Sequence, residues 1–146
     1  MPLQKIIESL CKELQGSRVT LRQETQGDVF PITHEALSGT TQSIIGIDTP
    51  NMSGQPVVIK VLAGQQVIQN DCTSEFIDDS PFHEMLKLYG GMKAQIVTPV
   101  VINEVTKAII SLHVLDKTRN WSEADADRCQ RAAIEIQKEL TQCESL

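Results

Sequence analysis

The chain reads as an α+β domain, and three observations predict it. Residues at each end repeat with helical spacing, a strand-like alternation follows the first of these segments, and two long apolar runs near the C-terminus are joined by the short turn Asn103-Glu104. Helices at both ends with antiparallel strands between them need one sheet and a layer on each side of it to bury their apolar faces.

Each element follows from local chemistry. Pro2 suits the start of a helix, and Leu3, Ile6, Ile7, Leu10, Cys11 and Leu14 recur on one face before Gly16 supplies a stop, which predicts a helix over about residues 2 to 15. From Arg18 to Glu24, Val19 and Leu21 alternate with Arg18, Thr20, Arg22 and Glu24, the period of a half-buried strand. Gln26-Gly27-Asp28 marks a turn, Val29 to Ile32 reads as a short returning strand, and Thr33 as the cap of a helical turn from His34 to Leu37. Ser43 to Ile47 leads into a polar, breaker-rich loop from Asp48 to Gly54, which fits the surface or the cover of a pocket.

Further along, Gln66 to Gln69 reads as a strand. Ser80-Pro81 opens a helix from Phe82 to Tyr89 that Gly90-Gly91 ends. Lys93 to Val101 and Thr106 to Leu115 form an antiparallel hairpin. Ser122 and Asp125 approximate a capping box for a last helix over about 123 to 142, with Trp121 placed against its first turn. In that helix Ala126, Cys129, Ala133, Ile136, Leu140 and Cys143 form a seam of the kind that packs along another helix.

Composition excludes several classes. The 146 residues suit a single domain spanning 1–146. A net charge of -6 and the lack of any basic run argue against a nucleic-acid partner. The chain shows neither a secretory leader nor an apolar run near the roughly 18 residues of a membrane span, so it reads as soluble and cytoplasmic, with no membrane partner. Cys11, Cys72, Cys129 and Cys143 lack CxxC spacing, so reduced thiols are expected and a zinc site is not. The residues name no cofactor.

One stretch is more specific. Tyr89-Gly90-Gly91-Met92, the run Ala94 to Val100 ending in Thr98-Pro99-Val100, Ser111-Leu112-His113 and Thr118-Arg119-Asn120-Trp121-Ser122-Glu123 succeed one another. This order of hinge, strand, turn, strand, Arg-x-Trp-Ser loop and helix resembles the C-terminal half of a GAF domain. The whole chain follows such a domain in order, with Leu88 to Glu139 as the more specific part.

The resemblance implies a central antiparallel sheet of five or six strands. Terminal helices pack on one face, and loops and short helices form a ligand pocket on the other. It also decides Pro56 to Gly64, where Val57, Val58, Ile59 and Val61 favour a strand by propensity. A GAF domain has a short helix there, and Pro56 before and Gly64 after suit one. GAF domains commonly pair through their terminal helices, so the seam either covers the sheet or packs on the first helix, or it also forms a homodimer.

Strand parity nominates pocket residues. If Ala108, Ile110, Leu112 and Val114 face the helices, then Ile109, Ser111, His113 and Leu115 face the other layer. The same parity puts Thr20 and Arg22 together. Arg22 in the cavity would suit a carboxylate or phosphate, whereas an Arg on an edge strand in water is the simpler placement. His113 reads as a hydrogen-bonded core histidine or a ligand contact, and His83 as exposed or pocket-facing. Asp71 and Cys72 fall near the expected pocket mouth, where a reactive thiol is conceivable, although nothing adjacent in sequence would activate it. The candidate ligand-binding set is therefore Arg22, Asp71, Cys72, His83, Ser111 and His113.

Specialised GAF groups fit poorly. Bilin-attaching members usually have Cys followed by His, and no cysteine here is. The phosphodiesterase-type cyclic-nucleotide signature is not matched by Asp116 to Glu123, and free methionine sulfoxide reductases need a set of pocket cysteines where this chain offers Cys72 alone outside the terminal helices. The expectation is a small-molecule sensor for an anionic or aromatic metabolite, with output through dimerisation or a partner protein. The alternative is an enzyme using His34, Glu35, His83 or His113 as acid–base groups, which two titratable side chains within hydrogen-bond reach in the pocket would favour.

Overall fold

The computed structural model of the protein describes residues 2–25, 30–47 and 52–144. Among them, β1 (Arg18–Gln23), β2 (Ile32–Leu37), β3 (Val67–Gln69), β4 (Ala94–Ile102) and β5 (Val105–Val114) form one antiparallel sheet in the order β2-β1-β5-β4-β3. The helices are α1 (Leu3–Glu13), α2 (Pro56–Leu62), α3 (Ser80–Leu88) and α4 (Glu123–Glu144). The expected α+β architecture with five strands is present, and Pro56–Leu62 is helical despite its β-branched residues. Tertiary burial of Val57 and Val61 outweighs propensity there.

Parity divides the core into two layers. On one face Ile6, Ile7 and Leu10 of α1 and Cys129, Ala133 and Ile136 of α4 pack on Val19, Leu21, Ala108, Ile110 and Leu112. On the other, Val57 and Val61 of α2 and Phe82, Met85 and Leu86 of α3 pack on Val97 and Ile109. The α4 seam is thus used inside the chain, against α1 and the sheet. Gly16 lets α1 lie close to β5, because a Cβ there would sit 2.4 Å from Cδ1 of Leu112.

The segment between β5 and α4 ties the layers together. Arg119 donates to the carbonyls of Leu14 and Gln15 at the end of α1, and its guanidinium lies 5.2 Å from the Trp121 ring centroid. Trp121 donates its Nε1–H to the Gln69 carbonyl at 2.9 Å, so it anchors β3 and packs against the helix-covered core. Ser122 and Asp125 form a reciprocal capping box, each side chain accepting from the other's backbone N–H. Arg119→Ala should therefore cost about 1–2 kcal/mol of stability, measurable as a lower urea midpoint at unchanged slope.

Two expectations need correction. Residues His34 to Leu37 are strand β2, not a helical turn, because they pair with β1 from Arg18↔Leu37 to Leu21↔His34 while Ala36 enters the core beneath α1. Thr33 does not cap a helix; its hydroxyl accepts from Gln23 Nε2 and lies 3.3 Å from the Leu21 carbonyl. Of the expected strand Val29 to Ile32, Val29 lies outside the described residues, Phe30 and Pro31 are not in a strand, and Ile32 begins β2. The cap of α3 is Asp79, whose Oδ1 accepts from Phe82 N at 2.9 Å, so the helix begins at Ser80.

Candidate functional site

Between the sheet and the α2–α3 layer lies a cavity of about 50 Å³. Its floor carries five polar side chains beside the apolar Val97 and Ile109: Thr20 and Arg22 come from β1, Ser111 and His113 from β5, and Gln95 from β4. The pairings Thr20↔Ser111 and Gln95↔His113 bring these side chains together, since directly opposed residues share a face. Val57, Val58 and Val61 of α2, Met85 of α3, Gln55 and Tyr89 close the other side. Of the lining residues Met52 and Val58 alone are half-exposed, which puts the entrance at the start of α2.

Two buried guanidiniums dominate the electrostatics. Arg22, 9% exposed, donates from Nη1 to the Phe30 carbonyl at 2.9 Å and from Nη2 to the Tyr89 hydroxyl at 2.9 Å. Arg18, 1% exposed, donates from Nε to His113 Nδ1 at 3.0 Å, from Nη1 to the Gln42 carbonyl at 3.1 Å and from Nη2 to the Tyr89 carbonyl at 2.7 Å. Neither has a carboxylate at salt-bridge distance among the described residues, and no Asp or Glu among them lines the cavity. Burial pulls Arg18 down to about 10 and lowers Arg22, with Glu35 and Tyr89 partly opposing this at Arg18 and Tyr89 at Arg22. Both remain cations at neutral pH.

His113 is fixed by these neighbours. Burial, then the charges of Arg18 and Arg22, push its imidazole well below the ordinary value, so the ring is neutral. Because Nδ1 accepts from Arg18, the ring proton resides on Nε2. This has a pH consequence. Unfolding releases a histidine that takes a proton below about pH 6.5 while the folded one does not, so stability should fall on acidification through that window. The limiting slope is one proton, about 1.4 kcal/mol per pH unit. His113→Gln should flatten it in urea titrations between about pH 7 and pH 5.

Of the candidates named from sequence, Arg22, Ser111 and His113 meet at the cavity. Arg22 is not on an edge in water, because β2 pairs outside β1 and leaves its strand interior to the sheet. Asp71, Cys72 and His83 are not among the cavity-lining residues. Asp71 accepts from Thr73 N and Oγ1 and shapes the short 3-10 turn Cys72–Ser74. Cys72 is fully buried with its thiol 3.7 Å from Gln69 Oε1, and burial, assisted by Glu75 and Asp71, pushes it up to about 12, which makes it a poor nucleophile. His83 Nε2 lies 2.9 Å from the Glu75 carbonyl, and its ring stacks edge-on with Phe82. His34 sits by Thr33 Oγ1 on β2, and Glu35 accepts from Ile44 N, both away from the cavity lining.

Sequence reasoning did not single out Arg18, Gln55, Tyr89 or Gln95. Arg18 was within reach, since it shares the parity of Thr20 and Arg22 on one strand. Gln95 gave no signal, because a lone Gln in an apolar strand resembles a surface residue; here its Nε2 donates to Gln69 Oε1 at 2.6 Å.

No protein-family model and no curated protein matches the sequence. Solved structures match its fold. The cyanobacteriochrome TePixJ GAF domain superposes with a TM-score of 0.85 at 16% identity, over 99% of this chain and 89% of that one. The photoproduct state of GAF3 from Slr1393 of Synechocystis sp. PCC6803 gives 0.81 at 11% identity, over 97% and 92%. A far-red-absorbing dark state with bound biliverdin IXα gives 0.80 at 15%, over 98% and 92%. The chain has the GAF-domain fold.

Proposed function

We propose that this GAF-fold chain is a small-molecule-binding sensory domain whose ligand enters the cavity between the sheet and α2–α3. The observation that carries this reading is the buried Arg22 lining a cavity without a carboxylate, with buried Arg18 bonded to His113 of the same cavity. Burying a cation is costly unless something compensates it, and an anionic ligand does so. Of the two ligand chemistries expected from sequence, the cations favour an anion over a neutral aromatic.

Structural neighbours include domains with bound biliverdin and phycocyanobilin, which supports ligand binding as the role of this fold. A bilin does not suit this chain. The cavity, about 50 Å³, is far below the roughly 300–1,000 Å³ of drug-sized ligand pockets. Cys72 is buried beside Gln69, and Cys11 and Cys129 lie in the opposite, helix-covered layer.

The enzyme reading lacks its acid–base pair, since the buried partner of His113 is an arginine that keeps its proton. Output would run through a partner protein or pairing of the terminal helices. On those helices Ile134 is the one strongly exposed large apolar side chain among the described residues, so pairing would rest mainly on polar contacts. A location in the cytoplasm fits this reading, and no helix among the described residues is long and apolar enough to cross a membrane.

The test is a thermal-shift panel of organic acids and neutral aromatics with wild type and Arg22→Ala. Acids should stabilise wild type, and Arg22→Ala should weaken them by about 1.5–3 kcal/mol. Equal responses of the two proteins would remove Arg22 from the site, and no response to any compound would sink the sensor reading.

A further inference from the structure

The cavity's size and its donors specify more than negative charge, provided that the cavity is a ligand site as proposed. A single water needs about 10–15 Å³ of cavity space, so a cavity of about 50 Å³ suits an ion of a few heavy atoms. Among its mostly apolar lining, Arg22 and His113 offer hydrogen-bond donors. Arg22 uses Nη1 and Nη2 once each, toward Phe30 and Tyr89, and its remaining N–H groups have no partner among the described residues. A guanidinium presents those donors in a plane that matches the planar, delocalised charge of a carboxylate or similar oxyanion. His113 adds a donor at Nε2, because its Nδ1 is taken by Arg18.

Thr20 supplies the independent observation. It lines the cavity and is 1% exposed, yet its Oγ1 has no hydrogen-bond partner among the described residues. A buried hydroxyl left unpaired costs stability, and native folds rarely keep one without a use. Val would fill the same space without that cost, and β-branched Val suits a central strand at least as well as Thr. A hydroxyl kept unpaired beside the buried guanidinium of Arg22, in a cavity lined by no carboxylate, is the mark of a site built for an acceptor.

We infer that the cavity binds a compact planar monoanion, of the size of formate, acetate or nitrate, held between Thr20, Arg22, Ser111 and His113. A larger organic acid would meet the closing side chains Val61, Met85 and Tyr89, each almost fully buried against the sheet.

Isothermal titration calorimetry and thermal shift with sodium formate, acetate, nitrate and benzoate, against sodium chloride at matched ionic strength, test this. Saturable binding of at least one small ion, with none by benzoate, is the expected result. Formate and acetate without nitrate would assign the site to small organic acids, nitrate alone to inorganic oxyanions, and both to the shared planar chemistry. Thr20→Val should leave the unliganded protein as stable or slightly more so, while weakening the ion roughly fivefold. Arg22→Gln should weaken it by more than about tenfold. Because Arg22→Gln also disturbs Phe30 and Tyr89, Thr20→Val is the decisive variant.

Binding of small ions unchanged by Thr20→Val and Arg22→Gln would overturn the assigned site. Binding of benzoate but no small ion would overturn the size inference and leave the ligand-binding reading standing. Silence toward all four, together with silence across the metabolite panel, would remove both.

Discussion

Replacing Arg18 with Met is expected to destabilise the fold by about 2–4 kcal/mol, seen as a lower midpoint in equilibrium urea unfolding at unchanged slope. Arg18 is 1% exposed and satisfies three acceptors on different parts of the chain: His113 on β5, Tyr89 after α3, and Gln42 in the segment after β2. Met fills similar space and returns the cost of burying a charge. It leaves two buried acceptors, His113 Nδ1 and the Tyr89 carbonyl, without donors, each worth about 1–3 kcal/mol. The Gln42 contact matters less, because that residue is exposed and water can replace the donor. Arg18→Lys should fall between the two, since one ammonium cannot span acceptors that the planar guanidinium reaches together. A variant as stable as wild type would mean that the buried charge costs as much as its bonds return.

Phe82→Ala is expected to be the more damaging substitution, at about 3–5 kcal/mol. Phe82 is fully buried in the layer that closes the cavity, and its ring meets Phe76 edge to face at a centroid distance of 5.3 Å. The site has little means of collapsing onto the void, because α3 is fixed at its start by Asp79 and at its end by Gly90 and Gly91, both at positive φ. The same unfolding experiment measures it. A loss near 1 kcal/mol would show that α3 settles into the gap, and hence that the roof of the cavity is deformable.

These two residues mark how far the sequence could be read. Phe82 was placed on a helix by the Ser80-Pro81 start and the Gly90-Gly91 stop, and the apolar hairpin and the terminal helices were equally plain because period and punctuation agree there. The polar face of the cavity was legible through strand parity, which set Thr20 with Arg22 and Ser111 with His113 before their pairing across β1 and β5 was visible. Parity gives a face and no partner. It could not say that Arg18 would reach His113, residues far apart in the chain, or that Cys72 would turn inward behind Gln69.

The error at His34 to Leu37 has a similar origin. An edge strand with Thr33, His34 and Glu35 has weak alternation, and only its pairing with β1 makes it a strand. That pairing in turn takes Arg22 off the edge of the sheet, where its side chain lines the cavity.

The central claim is that an anion occupies the cavity on Arg22. The most direct measurement is a ¹H–¹⁵N correlation spectrum of the arginine side-chain Nε–H groups during titration with sodium formate at constant ionic strength. The account predicts a saturable shift of the Arg22 Nε–H signal, accompanied by the Thr20 and Ser111 amides. An Arg22 signal that stays fixed while exposed arginines drift linearly with concentration would contradict it.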